Sequence, residues 1–302
     1  MLSPDLTLPP QFESTLAGSV SVSGVGLHSG VDVTMTLGPA SAGSGIVFVR
    51  KDLDGFEIPA DWRSVAKVSY ATSLMRQGVL LSTTEHLLST FYALGIDNVR
   101  VEIDNLEIPI VDGSAKRFVE MIDEAGVKRQ RRPRRYLRMT RTVDAVEGQK
   151  RIRVEPADRF ELLCETHFGH ELVGSQSLEM VVEPESYARE IAAARTFGFE
   201  RDLAQMRDMG LIRGASLENA VCFGDEGVLN PGGLRFPDEP CRHKALDLIG
   251  DLALLGRPLL GRVEAHLAGH ALHTALVRTI HADPTCYEVV TAEQLNAVAV
   301  GA

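Results

Sequence analysis

The chain is poor in cysteine, with four in 302 residues and no Cys-x-x-Cys pair. Cys164, Cys222, Cys241 and Cys286 are scattered, which argues against a thiolate zinc site or a disulfide frame. They read as reduced packing residues of a cytoplasmic protein. Positive charge is also short: 31 Lys and Arg face 41 Asp and Glu, a net charge of −10. That balance points away from a general nucleic-acid or membrane binder. Long hydrophobic runs are missing. The longest, around Leu252–Leu260, is interrupted by Gly256 and Arg257 and is too short to span a bilayer. The first residues have neither a basic stretch nor an apolar one, so no signal peptide is expected.

What remains is the composition of an ordinary globular protein, 44% hydrophobic and 24% charged. The length suits one large or two medium domains. Residues 1–13 read as an arm. Val31–Leu37 alternates as a strand does, and Asn98–Ile103 reads as another. Ser82-Thr-Thr-Glu85 has the pattern of a capping box, predicting a helix from Glu85 to Leu94 that Gly95 ends. Another helix is expected near Ala115–Ala125. Residues 128–141 carry eight Lys or Arg around one proline and a single aromatic, Tyr136. With so little to stack bases on, this strip is expected to be a solvated basic linker between domains 14–127 and 142–302.

The second half repeats the order of the first. A helix from Glu239 to Leu255, with a histidine near its start, leads into Gly261-Arg-Val-Glu-Ala-His266, as the helix with His86 leads into Asn98-Val-Arg-Val-Glu. The expected fold is therefore α+β, with a two-layer α/β sandwich in each half. If the halves pack face to face, His86 and His243 meet at the seam.

The chemistry concentrates in His243-Lys-Ala-Leu-Asp247. An imidazole and a carboxylate four residues apart share a helical face, roughly 5–6 Å apart at Cβ, and Asp251 continues that face. Nitrogen with carboxylate oxygen suits Zn²⁺, whose catalytic sites take three protein ligands and leave a position open. Taken alone, the spacing is equally an i,i+4 ion pair on a solvated face. Glu85-His86 offers an imidazole for the metal and a carboxylate for water, or simply a favourable acid at a helix N-terminus. His270, read as lying in a Gly-His turn after a strand (Gly269-His-Ala-Leu-His273), is a candidate general acid or a packed histidine. Thr196 brings a hydroxyl between Arg195 and Phe197. His167, His266, His273 and His281 are expected to be structural.

Taken in order, these pieces carry a resemblance. They are Gly24-Val-Gly-Leu-His-Ser-Gly30, Thr83-Thr-Glu-His86, Gly95-Ile-Asp-Asn98, Glu107-Ile-Pro-Ile-Val-Asp-Gly-Ser114, Ala194-Arg-Thr-Phe-Gly-Phe199, Leu234-Arg-Phe, Arg242-His-Lys-x-x-x-Asp247-x-x-Gly-Asp251 and Gly269-His-Ala-Leu272. From about Ser14 to Thr279 the chain resembles the zinc-dependent UDP-3-O-acyl-N-acetylglucosamine deacetylases of lipid A biosynthesis. The resemblance implies His86, His243 and Asp247 as Zn²⁺ ligands, Glu85 as general base and His270 as general acid, with Asp251 orienting it. It implies Thr196 as an oxyanion donor and Lys244 facing the polar part of the substrate, with His28 and Phe197 nearby. Lys150 and Phe168 match positions that hold the nucleotide. An insert at about 196–222 would pass the acyl chain along Ile212, Ser216, Ala220 and Cys222. The family fold implied is two such sandwiches face to face, each with a small insert. The loop Lys67–Gly78 departs from the family pattern. A monomer acting on an acylated UDP-sugar, with no nucleic acid and no integral membrane segment, is the expectation. The rivals are a zinc amidohydrolase for another amide and a nucleic-acid or anionic-ligand binding protein using residues 128–141.

Overall fold

Period-two burial builds the first sheet. Val33, Met35 and Leu37 point inward from the strand Asp32–Pro39, and Val99, Val101 and Ile103 from Val99–Ile103. The computed structural model describes residues 9–66 and 68–295; most of the expected arm, residues 1–8, and Lys67 lie outside them. The first sheet has five strands in the order Val20–Val25, Asp32–Pro39, Val99–Ile103, Ile46–Arg50, Phe56–Pro59. The second has seven, organised around Leu259–His266. That strand runs antiparallel to Lys150–Glu155 and parallel to Phe160–Phe168, with Glu264 opposite Arg153 on one side and Leu163 on the other.

Six α-helices accompany the sheets among the described residues: α1 (Glu85–Ala93), α2 (Lys116–Ala125), α3 (Pro184–Glu190), α4 (Leu203–Asp208), α5 (Glu239–Leu252) and α6 (His270–Ala282). The fold is α+β. Helix α2 lies on the first sheet, α5 and α6 on the second, and α1 packs along α5 at the centre. Every residue of α1 except Tyr92 is buried, as expected of a helix enclosed on all sides. Its polar side chains are satisfied locally: Ser89 Oγ lies 2.7 Å from the Tyr187 hydroxyl of α3. One apolar core runs through both halves, joining Leu87 and Phe91 of α1 to Leu246 and Ile249 of α5.

The central helices approach so closely that α5 needs a glycine. A Cβ on Gly250 would lie 2.1 Å from the carbonyl oxygen of Glu85. Helix α5 opens with Pro240 in its first turn, and the 3-10 turn that follows it ends at Gly256, φ 73°.

Three local expectations are corrected. The basic stretch 128–141 is mostly strand, not linker. Val127–Pro133 pairs antiparallel with Phe12–Leu16, so the end of the expected arm is also strand. Arg135–Met139 joins the second sheet beside Tyr287–Thr291. The cations remain compatible with strand because they stay at the surface or pair, as Arg134 does with Asp97 at 2.9 Å, while Leu137 and Met139 turn inward. On an exposed two-stranded ribbon such charges also discourage edge-to-edge association. Second, Ser82-Thr-Thr-Glu85 forms no capping box. Thr84 is the N-cap and makes no side-chain cap bond, because its hydroxyl donates to the Thr72 carbonyl at 3.1 Å, while the Glu85 carboxylate accepts the Thr72 amide. Third, His270 is not in a turn but is the first residue of α6.

Residues 197–223 form the larger insert, two parallel strands, Phe197–Phe199 and Val221–Phe223, with α4 between them. A hairpin, Leu74–Arg76 with Val79–Leu81, stands in the first half. No helix among the described residues is long and apolar enough to cross a membrane.

Candidate metal and catalytic centre

The starts of α1 and α6 converge on the middle of α5. His86 comes from α1, and His243 and Asp247 lie one turn apart on α5. The Nε2 atoms of His86 and His243 stand 3.6 and 3.5 Å from Asp247 Oδ1, and all three side chains are buried. These distances are too long for good hydrogen bonds. They match ligand atoms around one ion, since donors ~2.1 Å from a tetrahedral metal lie roughly 3.4 Å apart. Burial, aided by the neighbouring His243, pushes the His86 imidazole down to about 3. Burial lowers His243 as well, against the pull of Asp247. Both rings are thus neutral with a lone pair to offer. Burial alone would raise Asp247, but the Lys244 ammonium and the nearby His270 imidazolium hold it well below the usual carboxylate range. Lys244 Nζ donates to Asp247 Oδ2 at 2.9 Å, and His243 Nδ1 donates to the Ala194 carbonyl at 3.0 Å. That second bond leaves Nε2 facing Asp247, as the backbone partners of metal-binding histidines do. The group has the donors, burial and spacing of a metal site.

Two other clusters have metal-compatible spacing. In Asp251–His270–His273 the donors are already used. Asp251 Oδ2 accepts from Nδ1 of His270 at 2.7 Å and of His273 at 2.8 Å, and its Oδ1 accepts from the Thr72 hydroxyl at 2.5 Å. Burial alone would lower His270, yet Asp251 beside it raises it to about 9. This ring is an imidazolium at neutral pH. The third cluster joins Glu85, Asp247 and His270. Glu85 is buried, accepts the Thr72 amide at 3.0 Å, and is pushed up to about 8 by burial.

A cavity of about 720 Å³ opens over this centre. Its polar end is lined by Glu85, His86, His243, Lys244, Asp247, His270 and Thr196, and Thr196 is fixed by its amide donating to Gly113 O at 2.7 Å. Ile212, Ser216, Ala220 and Cys222 line it along the insert, with Phe168, Phe197, His28 and Lys150 around them. Asp251 lies behind the cavity, fully buried. The backbone is strained here. Tyr70, Thr83 and Ile212 line the cavity with φ of 65°, 59° and 50°, conformations that cost non-glycine residues ~1–3 kcal/mol. Glu107 steadies Thr83: its carboxylate accepts the Thr83 hydroxyl at 2.8 Å and the amides of His28 and Ser29 at 2.9 and 2.8 Å.

Sequence reading missed three contributors. Thr72 sits in the divergent loop 67–78 and had no motif to mark it. Glu107 opened a quoted motif without being assigned a role. His273 was expected to be merely structural; its pairing with Asp251 follows from α6 starting at His270, which puts the two rings at i,i+3 on one helix.

The pattern of the UDP-3-O-acyl N-acetylglycosamine deacetylase family matches residues 13–282. Three proteins bearing the name UDP-3-O-acyl-N-acetylglucosamine deacetylase are similar over nearly their full lengths. That of Solibacter usitatus (strain Ellin6076) is 64% identical over 285 residues, covering 94% of this chain and 96% of that protein. That of Anaeromyxobacter sp. (strain Fw109-5) is 50% identical over 278 residues, 92% and 91% of the two. That of Myxococcus xanthus (strain DK1622) is 47% identical over 290 residues, 96% and 92%. Matched over residues 13–282 and 47–64% identical to these three proteins, the chain belongs to the UDP-3-O-acyl N-acetylglycosamine deacetylase family.

Proposed function

We propose that this chain hydrolyses the N-acetyl group of UDP-3-O-(3-hydroxyacyl)-N-acetylglucosamine, releasing acetate, as a zinc-dependent step of lipid A biosynthesis in the cytoplasm. The observation that carries this is the buried His86–His243–Asp247 triad, its facing atoms 3.5–3.6 Å apart, at the end of a cavity with an apolar arm. These residues would hold the zinc. A zinc ion held there would supply Lewis acidity toward the amide carbonyl and a more acidic water, and its charge would favour the carboxylate form of Glu85.

The chain's own groups divide the rest. Glu85 takes the proton of the attacking water as the C–O bond forms. The Thr196 hydroxyl donates to the carbonyl oxygen as it gains negative charge. His270, charged because Asp251 backs it, delivers a proton to the nitrogen as the C–N bond breaks, leaving acetate and a free amine. Lys244 faces the polar part of the sugar. Lys150 offers a cation to the diphosphate, and Phe168 an aromatic face to the uracil. Ile212, Ser216, Ala220 and Cys222 line the path of the acyl chain, with His28 and Phe197 nearby. The active unit is a monomer on a small-molecule substrate, without nucleic acid.

Acetate release is the test, measured on the acylated nucleotide sugar and on its 3-O-deacylated analogue, with zinc quantified in the same protein. About one zinc per chain and a deacylated analogue slower by several orders of magnitude in kcat/KM is the expected result, since buried methylenes are worth roughly 0.8 kcal/mol each. Equal rates on the two substrates would point to a hydrolase for another amide. Wild-type protein that turns over without zinc would remove the metal from the reading.

A further inference from the structure

Arg195 and Glu239 form a buried ion pair that the proposed chemistry does not use. Glu239 is fully buried in the first turn of α5, and Arg195 is 8% exposed. The Glu239 carboxylate is saturated with donors. Oε1 accepts the Arg195 amide at 3.0 Å and Arg195 Nε at 2.8 Å. Oε2 accepts an Arg195 guanidinium nitrogen at 3.1 Å and the Arg235 amide at 2.7 Å. Removing two charges from water is costly, and a buried pair is a poor source of net stability.

Its placement supplies the reason. The amide of Arg195 and the carbonyl of Ala194 belong to one peptide group. The N–H is held by Glu239, and the C=O accepts from Nδ1 of His243 at 3.0 Å. Glu239 and His243 are four residues apart on α5, so one planar peptide bridges two successive turns of the helix. A peptide cannot rotate at one end alone. Fixing the N–H therefore fixes the direction of the carbonyl, which holds the proton on Nδ1 and leaves Nε2 as the lone-pair nitrogen. Thr196 is the next residue, and its amide donates to Gly113 O.

We infer that Glu239, with Arg195, is a positioning residue that clamps the Ala194–Arg195 peptide and thereby sets the tautomer and aim of His243 and the seat of Thr196. This rests on His243 being a metal ligand. Removing the group that a ligating histidine hydrogen-bonds through its other ring nitrogen typically changes metal affinity by ~10–100-fold.

The test is the zinc dissociation constant, measured by competition with a chromophoric chelator on the full chain. It is paired with long-range ¹H–¹⁵N NMR of the His243 ring in the metal-free protein. Glu239→Ala should bind zinc ~10–100-fold more weakly and should lose the single Nδ1–H form. Glu239→Gln keeps an oxygen for the Arg195 amide and should recover most of both. Leu37→Ala, in the core of the first sheet, serves as a control with a comparable fall in Tm and unchanged zinc affinity. In turnover the Glu239 loss should fall on kcat, with KM nearly constant. Wild-type affinity in Glu239→Ala, or equal weakening in the Ala and Gln variants, would overturn the clamp. If Glu239→Ala does not fold, Glu239→Asp replaces it with the same two outcomes, since it draws the carboxylate back by one methylene. A wild type that binds no zinc would instead count against the metal reading, with the clamp judged by the ring tautomer alone.

Discussion

Two clusters of the same composition, two histidines and one aspartate, stand on neighbouring turns of α5 and behave oppositely. In His86–His243–Asp247 the facing atoms stand 3.5–3.6 Å apart and no proton joins them well. In Asp251–His270–His273 two contacts close to 2.7 and 2.8 Å, and Thr72 takes the remaining carboxylate oxygen. Burial acts on both. The difference is which nitrogen faces the acid. Nδ1 of His243 is occupied by a backbone carbonyl, so Nε2 arrives bare, whereas His270 and His273 present Nδ1–H to Asp251. On the proposed reading the first cluster would be a vise for a cation and the second a holder for a proton. Residue types and spacing do not separate the two; the partners of the far ring atoms do.

The contrast can be broken most severely at the first cluster. His86→Ala should lose stoichiometric zinc and with it activity, while His273→Ala should keep the metal; elemental analysis of both proteins decides. Next come the groups that move protons. Glu85→Ala and His270→Ala should each lower kcat by ~10²–10⁴-fold with the fold intact. The double variant should lose less than the product, because both serve one transition state. A near-normal rate in His270→Ala would reassign the donor.

Asp251→Asn sharpens the comparison through pH. On the proposed mechanism activity needs a protonated His270, which Asp251 raises to about 9, so the wild-type rate should fall as pH climbs through that region. Without the carboxylate the imidazolium gives up its proton at lower pH, and the alkaline limb should move down by about 1–3 units. The acid limb belongs, on the proposed mechanism, to Glu85, which must be unprotonated; Asp251 also raises Glu85, so this limb should move less than the alkaline one. A pH–rate profile in which the alkaline limb stays in place would deny the division of labour. The smallest effect is expected at the aromatic wall, where Phe168→Ala should raise KM more than it lowers kcat. Equal losses in kcat and kcat/KM would place Phe168 at the reacting centre instead.

Much of this was legible because helices repeat on a fixed period. His243, Asp247 and Asp251 share a face for that reason alone, and the twin helix-to-strand order of the two halves anticipated the meeting of α1 with α5. What stayed hidden depends on contacts distant in sequence. Glu85 looks like a cap from its neighbours but is held by Thr72, thirteen residues earlier, in a loop without regular structure. The cations of 128–141 read as solvated linker because their partners, among them Asp97 and Glu13, lie far back in the chain. His273 was passed over because the start of α6 was read as a turn.

Gly250 gives the centre an unusual kind of vulnerability. It is neither ligand nor wall of the cavity, yet the hydrogen that serves as its side chain is all that fits between α5 and the backbone of the proposed base. The proposed base and one ligand ride on one helix and the other two ligands on its neighbour, so the gap at Gly250 acts as the ruler between them. A single methyl group there would be a wedge, prising Glu85 and His86 from Asp247 together while leaving every one of those side chains in the sequence.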